Sequence, residues 1–146
     1  MIDLKKQTAQ QTAMAAFFFA YQAFTAKPDE ILARRGLSRV HHRILFFIAQ
    51  NPGLSVSQLL SYLEVSKQAL NIPLRQLLEM HLVHSSTAAN DKRKRELGLT
   101  AEGEKLEQAL RKEQTKLLQR ALDSAGSEAM TGWLALTQAL EQRLER

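Results

Sequence analysis

The strongest constraint on the fold of this chain is a pair of predicted helices that are joined by a turn of only a few residues. They lie in the segment LSVSQLLSYLEVSKQALNIPLRQLLEMHLVHSS. The first is predicted at 56–63, because Ser55 and Gln58 have the spacing of a capping box. Ser66 is a favourable N-cap for the second, which we expect to run to about Met80. Two helices with so short a connection indicate a helix-turn-helix.

A basic hairpin is predicted directly after this motif. The stretches LVHSS and ELGL have the composition of two short strands. We place the run of cations between them in the hairpin loop, with Asp91 directly before it; the run consists of Lys92, Arg93, Lys94 and Arg95. Leu97 and Leu99 alternate with a glycine, so both should point to the core and anchor the hairpin. A helix-turn-helix followed by such a hairpin is typical of a winged helix.

The basic run suits a contact with a DNA duplex. A narrow minor groove favours an inserted arginine, and we assign that role to Arg93. Asp91 repels phosphate, so we interpret its carboxylate as a brace that pairs with Arg93 and fixes its direction. Lys92, Lys94 and Arg95 would contact phosphates, which adds affinity but little sequence information. The plain alternative is a solvated surface turn.

The second helix of the motif has two distinct sides. Leu70, Leu74 and Leu77 share one side, which should pack on the core. The opposite side carries residues that can hydrogen-bond to base edges, namely Gln68, Asn71 and Arg75. Lys67 and the backbone N–H groups at the Ser66 end would meet phosphates. The alternative is an ordinary amphipathic helix with a wet face, and Pro73 should kink or split it.

Further helices are predicted on both sides of this region. The first covers about 6–26, and the second is a short helix opened by Pro28 and closed at Gly36. The third runs from Ser38 to about Gln50 and the fourth covers about 101–121. The last starts at Ser127 and includes Leu144. The first carries three consecutive phenylalanines, which cover most of its circumference. Such a helix must be buried on more than one side, so we expect a second subunit to cover part of it.

Composition narrows the function classes. A net charge of +5 favours a polyanionic partner. The absence of cysteine excludes disulfides, thiolate zinc sites and cysteine nucleophiles, and it fits a reducing cytoplasm, where we place the protein. The apolar stretch near the start is too short to span a bilayer, so we predict a retained helix and no membrane association. We find no catalytic arrangement and expect neither an enzyme, nor a cofactor, nor a metal site.

The chain resembles the MarR family of bacterial transcriptional regulators. The resemblance is carried by the helix-turn-helix segment quoted above, by the hairpin DKRKRELGLT with its Asp-x-Arg, and by LTAEG at the start of the following helix. It implies a mainly α fold with a small β-hairpin wing in a single unit over 1–146. The winged helix-turn-helix would cover about 38–100, and helices at about 6–26 and 101–146 would form a homodimer. His81 and Glu64 stand where the family commonly has glycine.

The resemblance also implies partners and a function. We expect sequence-specific binding to double-stranded DNA at a near-palindromic operator, with the Ser66 helix in the major groove and Arg93 in the minor groove. The protein would act as a repressor whose DNA affinity changes when a small aromatic ligand binds. As candidates for that ligand pocket we select Phe17, Tyr21, His42 and Phe46, although aromatic residues in this region more often form a dimer core.

Three other functions stay open at this point. The same fold is compatible with a protein-interaction module that does not bind DNA. It is also compatible with an architectural protein that coats DNA without sequence preference. A metal sensor is the third possibility, since four histidines are present and distant ones could converge.

Overall fold

A computed structural model describes residues 8–141 as six helices and one two-stranded sheet. In chain order the elements are α1 (Ala9–Ala33), α2 (Arg39–Gln50), α3 (Val56–Leu63), α4 (Lys67–Glu79), β1 (Val83–Ala88), β2 (Asp91–Leu99), α5 (Ala101–Ala125) and α6 (Ala129–Glu141). This confirms the predicted mainly α fold with a β-hairpin wing. Two predicted positions, the start of the first helix at residues 6 and 7 and the side chain of Leu144, lie outside the described residues.

The first helix is longer than predicted. The sequence indicated two helices separated near Pro28, and this prediction was wrong: α1 continues through Pro28 to Ala33. Proline has no N–H to offer the carbonyl of Phe24 one turn earlier. In the structure the side-chain amide of Gln114 on α5 donates to that carbonyl at 3.3 Å. Pro28 itself is buried. A contact from a distant helix therefore compensates for the missing backbone bond.

The helix-turn-helix follows the prediction closely. The reciprocal capping box of Ser55 and Gln58 starts α3, and the Ser66 hydroxyl accepts from the Ala69 N–H at the start of α4. Glu64, in the turn, adopts a left-handed conformation with φ of 52°, which glycine adopts more easily. Pro73 does not split α4; it lies buried within the helix.

One hydrophobic core joins the helix-turn-helix to its surroundings. Leucine and isoleucine side chains from α2, α3 and α4 are buried together with residues from α1, the wing and α5. The fully enclosed members include Leu32, Ile44, Leu45, Leu59, Leu70, Leu77, Leu82 and Leu110. Every element except α6 contributes to this core within residues 8–141, so the position of α4 is fixed from several directions.

The wing differs from the prediction in one important respect. Its strands are longer than expected, so the cations lie within β2 and the earlier placement in the loop was wrong. Thr87 pairs with Arg95 while the next residue, Ala88, pairs with Asp91, which leaves residues 92–94 as a bulge near the tip. The side chain of Arg95 explains the extended pairing, because it bonds across to β1 and ties the two strands together.

The base of the wing is attached to the start of α5 by short contacts. The Thr100 side chain accepts from the Gly103 N–H and donates to the His81 carbonyl at 2.6 Å. His81 is left-handed, with φ of 58°, at the end of the segment that follows α4. A side chain at Gly103 would overlap the backbone carbonyl of Leu82. The glycine of the LTAEG sequence thus allows α5 to pass directly over the base of the wing.

The remaining boundaries shift only slightly. The long helix α5 ends at Ala125, a few residues later than predicted, with Gly126 as its C-cap. The last helix starts at Ala129 rather than Ser127. Within residues 8–141, no helix combines the length and the apolar content that crossing a bilayer requires.

Candidate nucleic-acid interface

The outer side of α4 presents the polar residues that the sequence singled out. Gln68, Asn71 and Arg75 are all exposed, while Leu70 and Leu74 on the other side are buried. The spacing of three and four residues puts the exposed side chains on one stripe, which we call the recognition face. Lys67 and Ser66 are exposed at the N-terminal end of the same helix.

The tip of the wing holds an arginine in a defined direction although it faces solvent. The side chain of Arg93 is 92% exposed, whereas that of Asp91 is only 29% exposed. One oxygen of Asp91 accepts from the backbone N–H of Arg93 at 3.0 Å and lies 3.4 Å from its Nε. The predicted pairing is therefore present. It directs the guanidinium away from the protein at the most exposed part of the hairpin.

The other cations of the run do not share one environment. Lys92 and Lys94 are exposed beside Arg93 in the bulge. Arg95 instead donates to the Ser85 hydroxyl at 3.1 Å, to the Thr87 hydroxyl at 3.0 Å and to the Ser85 carbonyl at 3.0 Å. A guanidinium has five N–H donors, so these three bonds leave two for another partner. Arg95 therefore stiffens the wing in addition to any contact it makes outside it.

A histidine that the sequence did not assign connects α2 to α4. His41 is buried, and its Nδ1 accepts the backbone N–H of Ser38 at 3.0 Å. Because Nδ1 accepts, the proton of the neutral ring sits on Nε2, which lies 2.7 Å from Oε1 of Gln76 and donates to it. Gln76 is adjacent to Arg75, so this bond helps to fix the recognition face relative to α2. The capping-box spacing of Ser38 and His41 was the available signal.

A second buried polar group lies where α2 meets α5. Glu107 is 2% exposed, and Nε of Arg111 donates to its two oxygens at 2.8 and 3.2 Å. His42 is also buried; desolvation lowers its pKa, and the negative charge of Glu107 offsets part of that effect. The hydrogen bond to Glu107 raises the pKa of Arg111. The structure thus favours the neutral form of His42.

The two best-formed clefts among residues 8–141 are lined by residues other than the four predicted for a ligand pocket. Phe17 is exposed on α1, and the Arg39 guanidinium lies 5.2 Å from the ring centre of Tyr21. His42 is buried, and Phe46 is half-buried and packs edge-on against its neighbour. A cleft of about 1160 Å³ does lie between α1 and α5, but other residues line it, among them Phe24, Lys27, Arg111, Lys112, Lys116 and Arg120.

A large apolar surface remains uncovered on the first and last helices. The exposed fractions of its side chains range from 37% to 67%. On α1 they are Met14, Phe17, Phe18, Phe19, Tyr21 and Phe24, and on α6 they are Trp133, Leu134, Leu136 and Leu140. No residue of α6 is buried in this single chain. A surface of this size is unusual for a monomer and is typical of an interface.

The histidines do not converge with other potential metal ligands. Within residues 8–141, no three histidine, aspartate or glutamate side chains come close enough together to hold a metal ion. His41 and His42 are instead engaged in the contacts described above. His84 lies against Gly98 of the wing.

Comparison with known proteins gives a consistent result. Residues 35–94 match the family model described as MarR family. The chain is 43% identical over 125 residues to HTH-type transcriptional regulator PetP from Rhodobacter capsulatus. These 125 residues cover 86% of this chain and 75% of that protein. Among solved structures, it is similar to NadR in complex with 4-hydroxyphenylacetate, with 25% identity, a TM-score of 0.73, and coverage of 96% and 97% of the two chains. It also shares the fold of Staphylococcus aureus MarR in complex with salicylate and kanamycin, with 20% identity, a TM-score of 0.76, and coverage of 96% and 95%.

Proposed function

The chain belongs to the MarR family of transcriptional regulators, and from that premise we propose that it acts as a homodimeric repressor that binds a near-palindromic DNA operator. The family is one of regulators rather than enzymes. As a DNA-binding regulator in a bacterium, the protein would work in the cytoplasm.

The observation that carries this proposal is the arrangement of Arg93. The Arg93 side chain is 92% exposed near the tip of the wing, and Asp91 restrains it through a contact of 3.4 Å with its Nε. Immobilising a long side chain on binding opposes association by about 0.5–1.5 kcal/mol. A side chain that is already oriented avoids part of that loss. This arrangement supports insertion of the guanidinium into a narrow minor groove, where the potential is most negative.

The recognition face of α4 would supply the contacts to bases in the major groove. Gln68 and Asn71 can each form paired hydrogen bonds with adenine, and Arg75 can do so with guanine. Ser66, Lys67, Lys92, Lys94 and Arg95 would contact the phosphates that flank these bases.

A second copy of the chain would cover the apolar surface on α1 and α6. Those side chains lie on two helices that pack mainly on α2 and α5, so their burial leaves α4 and the wing free. We expect Phe18→Asp to produce a monomer, because a buried unpaired charge opposes association strongly. Ser57→Asp places the same charge at an exposed polar position of α3, outside the proposed interface, and is the matched control. A stable dimer of the Phe18→Asp variant in sedimentation would refute this interface.

Ligand control is the second part of the proposal. One structural relative was solved with 4-hydroxyphenylacetate, an aromatic acid. Phe17, Tyr21, His42 and Phe46 remain our candidates, and the surface of the second copy would complete a pocket built from them. Adding 4-hydroxyphenylacetate or salicylate to the protein–DNA complex tests this directly. Release of DNA that is lost in Tyr21→Ala supports the assignment, and release that is unchanged in this variant refutes it.

DNA recognition is tested by selection followed by titration. Fragments of the source genome that the protein retains are enriched, and one bound duplex is compared with a scrambled duplex at about 50 and 200 mM salt. We expect tight, salt-dependent binding with a clear preference for the selected duplex. Equal affinity for both duplexes would indicate an architectural protein instead, and no binding to either would indicate a protein-interaction module.

Two neighbouring variants separate the roles of the wing cations. Arg93→Ala should weaken binding to the selected duplex by about 1–3 kcal/mol and reduce the preference over the scrambled one. Lys94→Ala should weaken binding to both duplexes alike, because a phosphate contact carries no sequence information. If Arg93→Ala left operator affinity unchanged, the assigned role of the wing would be wrong.

A further inference from the structure

An isoleucine lies at the edge of the recognition face. Ile72 is 64% exposed, although it belongs to a helix whose other large apolar residues are buried or half-buried. It follows Asn71 directly and stands four residues after Gln68 and three before Arg75. Side chains three and four residues apart are neighbours on a helix surface. Ile72 therefore lies beside Gln68 and Arg75, two of the three residues assigned to base contacts.

Folding stability does not explain this residue. An exposed isoleucine buries little apolar surface, so it gains little from the hydrophobic effect. It also lowers helix propensity relative to alanine, because its branched Cβ restricts χ1. A single exposed apolar residue is common on protein surfaces and does not by itself indicate a function. Its position within the recognition face is what gives it significance.

The chemistry of the major groove offers one matching group. Each base pair presents hydrogen-bond donors and acceptors there, and thymine alone among the four bases adds an apolar C5-methyl group. A branched aliphatic side chain cannot bond to the donors or acceptors, but it can bury that methyl. When α4 lies in the groove, Ile72 moves from water to contact with the base edges, and a facing thymine removes the apolar surface of both groups from water.

We infer that Ile72 is a specificity-determining residue that recognises the methyl group of one thymine in each half of the operator. This rests on the proposed function, because it requires α4 to enter the major groove. It goes further by assigning a base contact that depends on shape and apolarity instead of hydrogen bonds. The side chain would reject cytosine and guanine at this position, since their polar edges would be covered without a partner.

Replacing thymine by deoxyuridine tests the inference, because this removes the methyl and leaves every hydrogen-bonding group in place. The thymines of a duplex selected by the protein are replaced one symmetric pair at a time, and the affinity is measured by fluorescence anisotropy. For the unaltered protein, we expect that replacing one particular thymine pair by deoxyuridine weakens binding by about fourfold for each methyl group lost. Ile72→Ala should bind the thymine duplex more weakly and should not distinguish thymine from deoxyuridine at that pair.

A control variant on the same face completes the test. Gln68→Ala should also bind more weakly, but it should keep the full sensitivity to the methyl, because its own contact is a hydrogen bond. If no thymine pair matters, or if Ile72→Ala remains as sensitive as the unaltered protein, the inference is overturned while DNA binding stands. If no genomic duplex is retained at all, the proposed function itself fails, and the inference fails with it. Circular dichroism should show an unchanged fold for Ile72→Ala, since alanine favours the helix.

Discussion

Replacing Asp91 by alanine should separate affinity from specificity in DNA binding. Two effects of the carboxylate oppose each other. It repels phosphate, so its removal should strengthen binding to any duplex. It also accepts from the backbone N–H of Arg93 at 3.0 Å and lies 3.4 Å from its Nε, and the second contact restrains the guanidinium, so its removal should weaken the one DNA contact that depends on a directed guanidinium. We therefore expect Asp91→Ala to bind scrambled DNA more tightly and its operator less tightly.

The expected loss of operator affinity in Asp91→Ala follows from the exposure of the Asp91–Arg93 ion pair. Arg93 is 92% exposed, so its ion pair with Asp91 adds at most a few tenths of a kcal/mol to folding stability. The same contact restricts the Arg93 side chain before DNA binds. The conformational entropy saved in this way is about 1 kcal/mol for one long side chain. That corresponds to about a fivefold loss of operator affinity for one wing and about 25-fold for the two wings of a dimer.

The assay is an anisotropy titration of operator and scrambled duplexes over a range of salt concentrations. Glu79→Ala is the matched control, because it removes one exposed negative charge at the end of α4 without touching the wing. Asp91→Ala should reduce the ratio of the two affinities, and Glu79→Ala should leave that ratio nearly unchanged. If both variants changed the ratio alike, or if Asp91→Ala melted at a clearly lower temperature, the carboxylate would act through net charge or folding, and the reasoning would be wrong.

Three further predictions concern the fold that supports the site. Gly103→Ala should destabilise the protein by about 1–3 kcal/mol in urea unfolding, because the new methyl would overlap a backbone carbonyl, whereas Gly132→Ala, which meets open space, should not destabilise it. Because burial lowers the pKa of His42, the unfolded chain binds more protons below about pH 6.5, so stability should fall as the pH drops through that value. His42→Gln should remove this slope, and a slope that persists would refute the assignment. His41→Gln keeps a capping residue but cannot also reach Gln76. A double-mutant cycle of His41→Gln and Gln76→Leu should therefore give a coupling free energy of unfolding near ~1 kcal/mol. Additive effects of the two substitutions would contradict the hydrogen bond.

Much of the fold could be predicted from the sequence because its signals are local. The capping box at Ser55 and the cap at Ser66 each depend on residues a few positions apart, and both appear as expected. The exposure of the recognition face followed from helical spacing alone. The pairing of Asp91 with Arg93 was also predictable, since only one residue separates them.

Other features escaped prediction because they depend on residues that are distant in the chain. The partner of Gln76 is a histidine 35 positions earlier, and capping signals do not report such contacts. Ile72 was overlooked for a different reason. An apolar residue of an amphipathic helix is expected to be buried, and only the tertiary structure shows that Ile72 is 64% exposed.

Local signals in the sequence predict α2, α3 and α4, the position of the winged helix-turn-helix and the side of α4 that faces outward, because hydrogen-bonded caps and apolar periodicity act within a few residues. Only the tertiary structure decided that α1 continues through Pro28, since the carbonyl released there is bonded by Gln114, 90 positions away. It also decided that the cations belong to a strand, because Arg95 draws β1 and β2 together beyond the length that local strand propensity indicates.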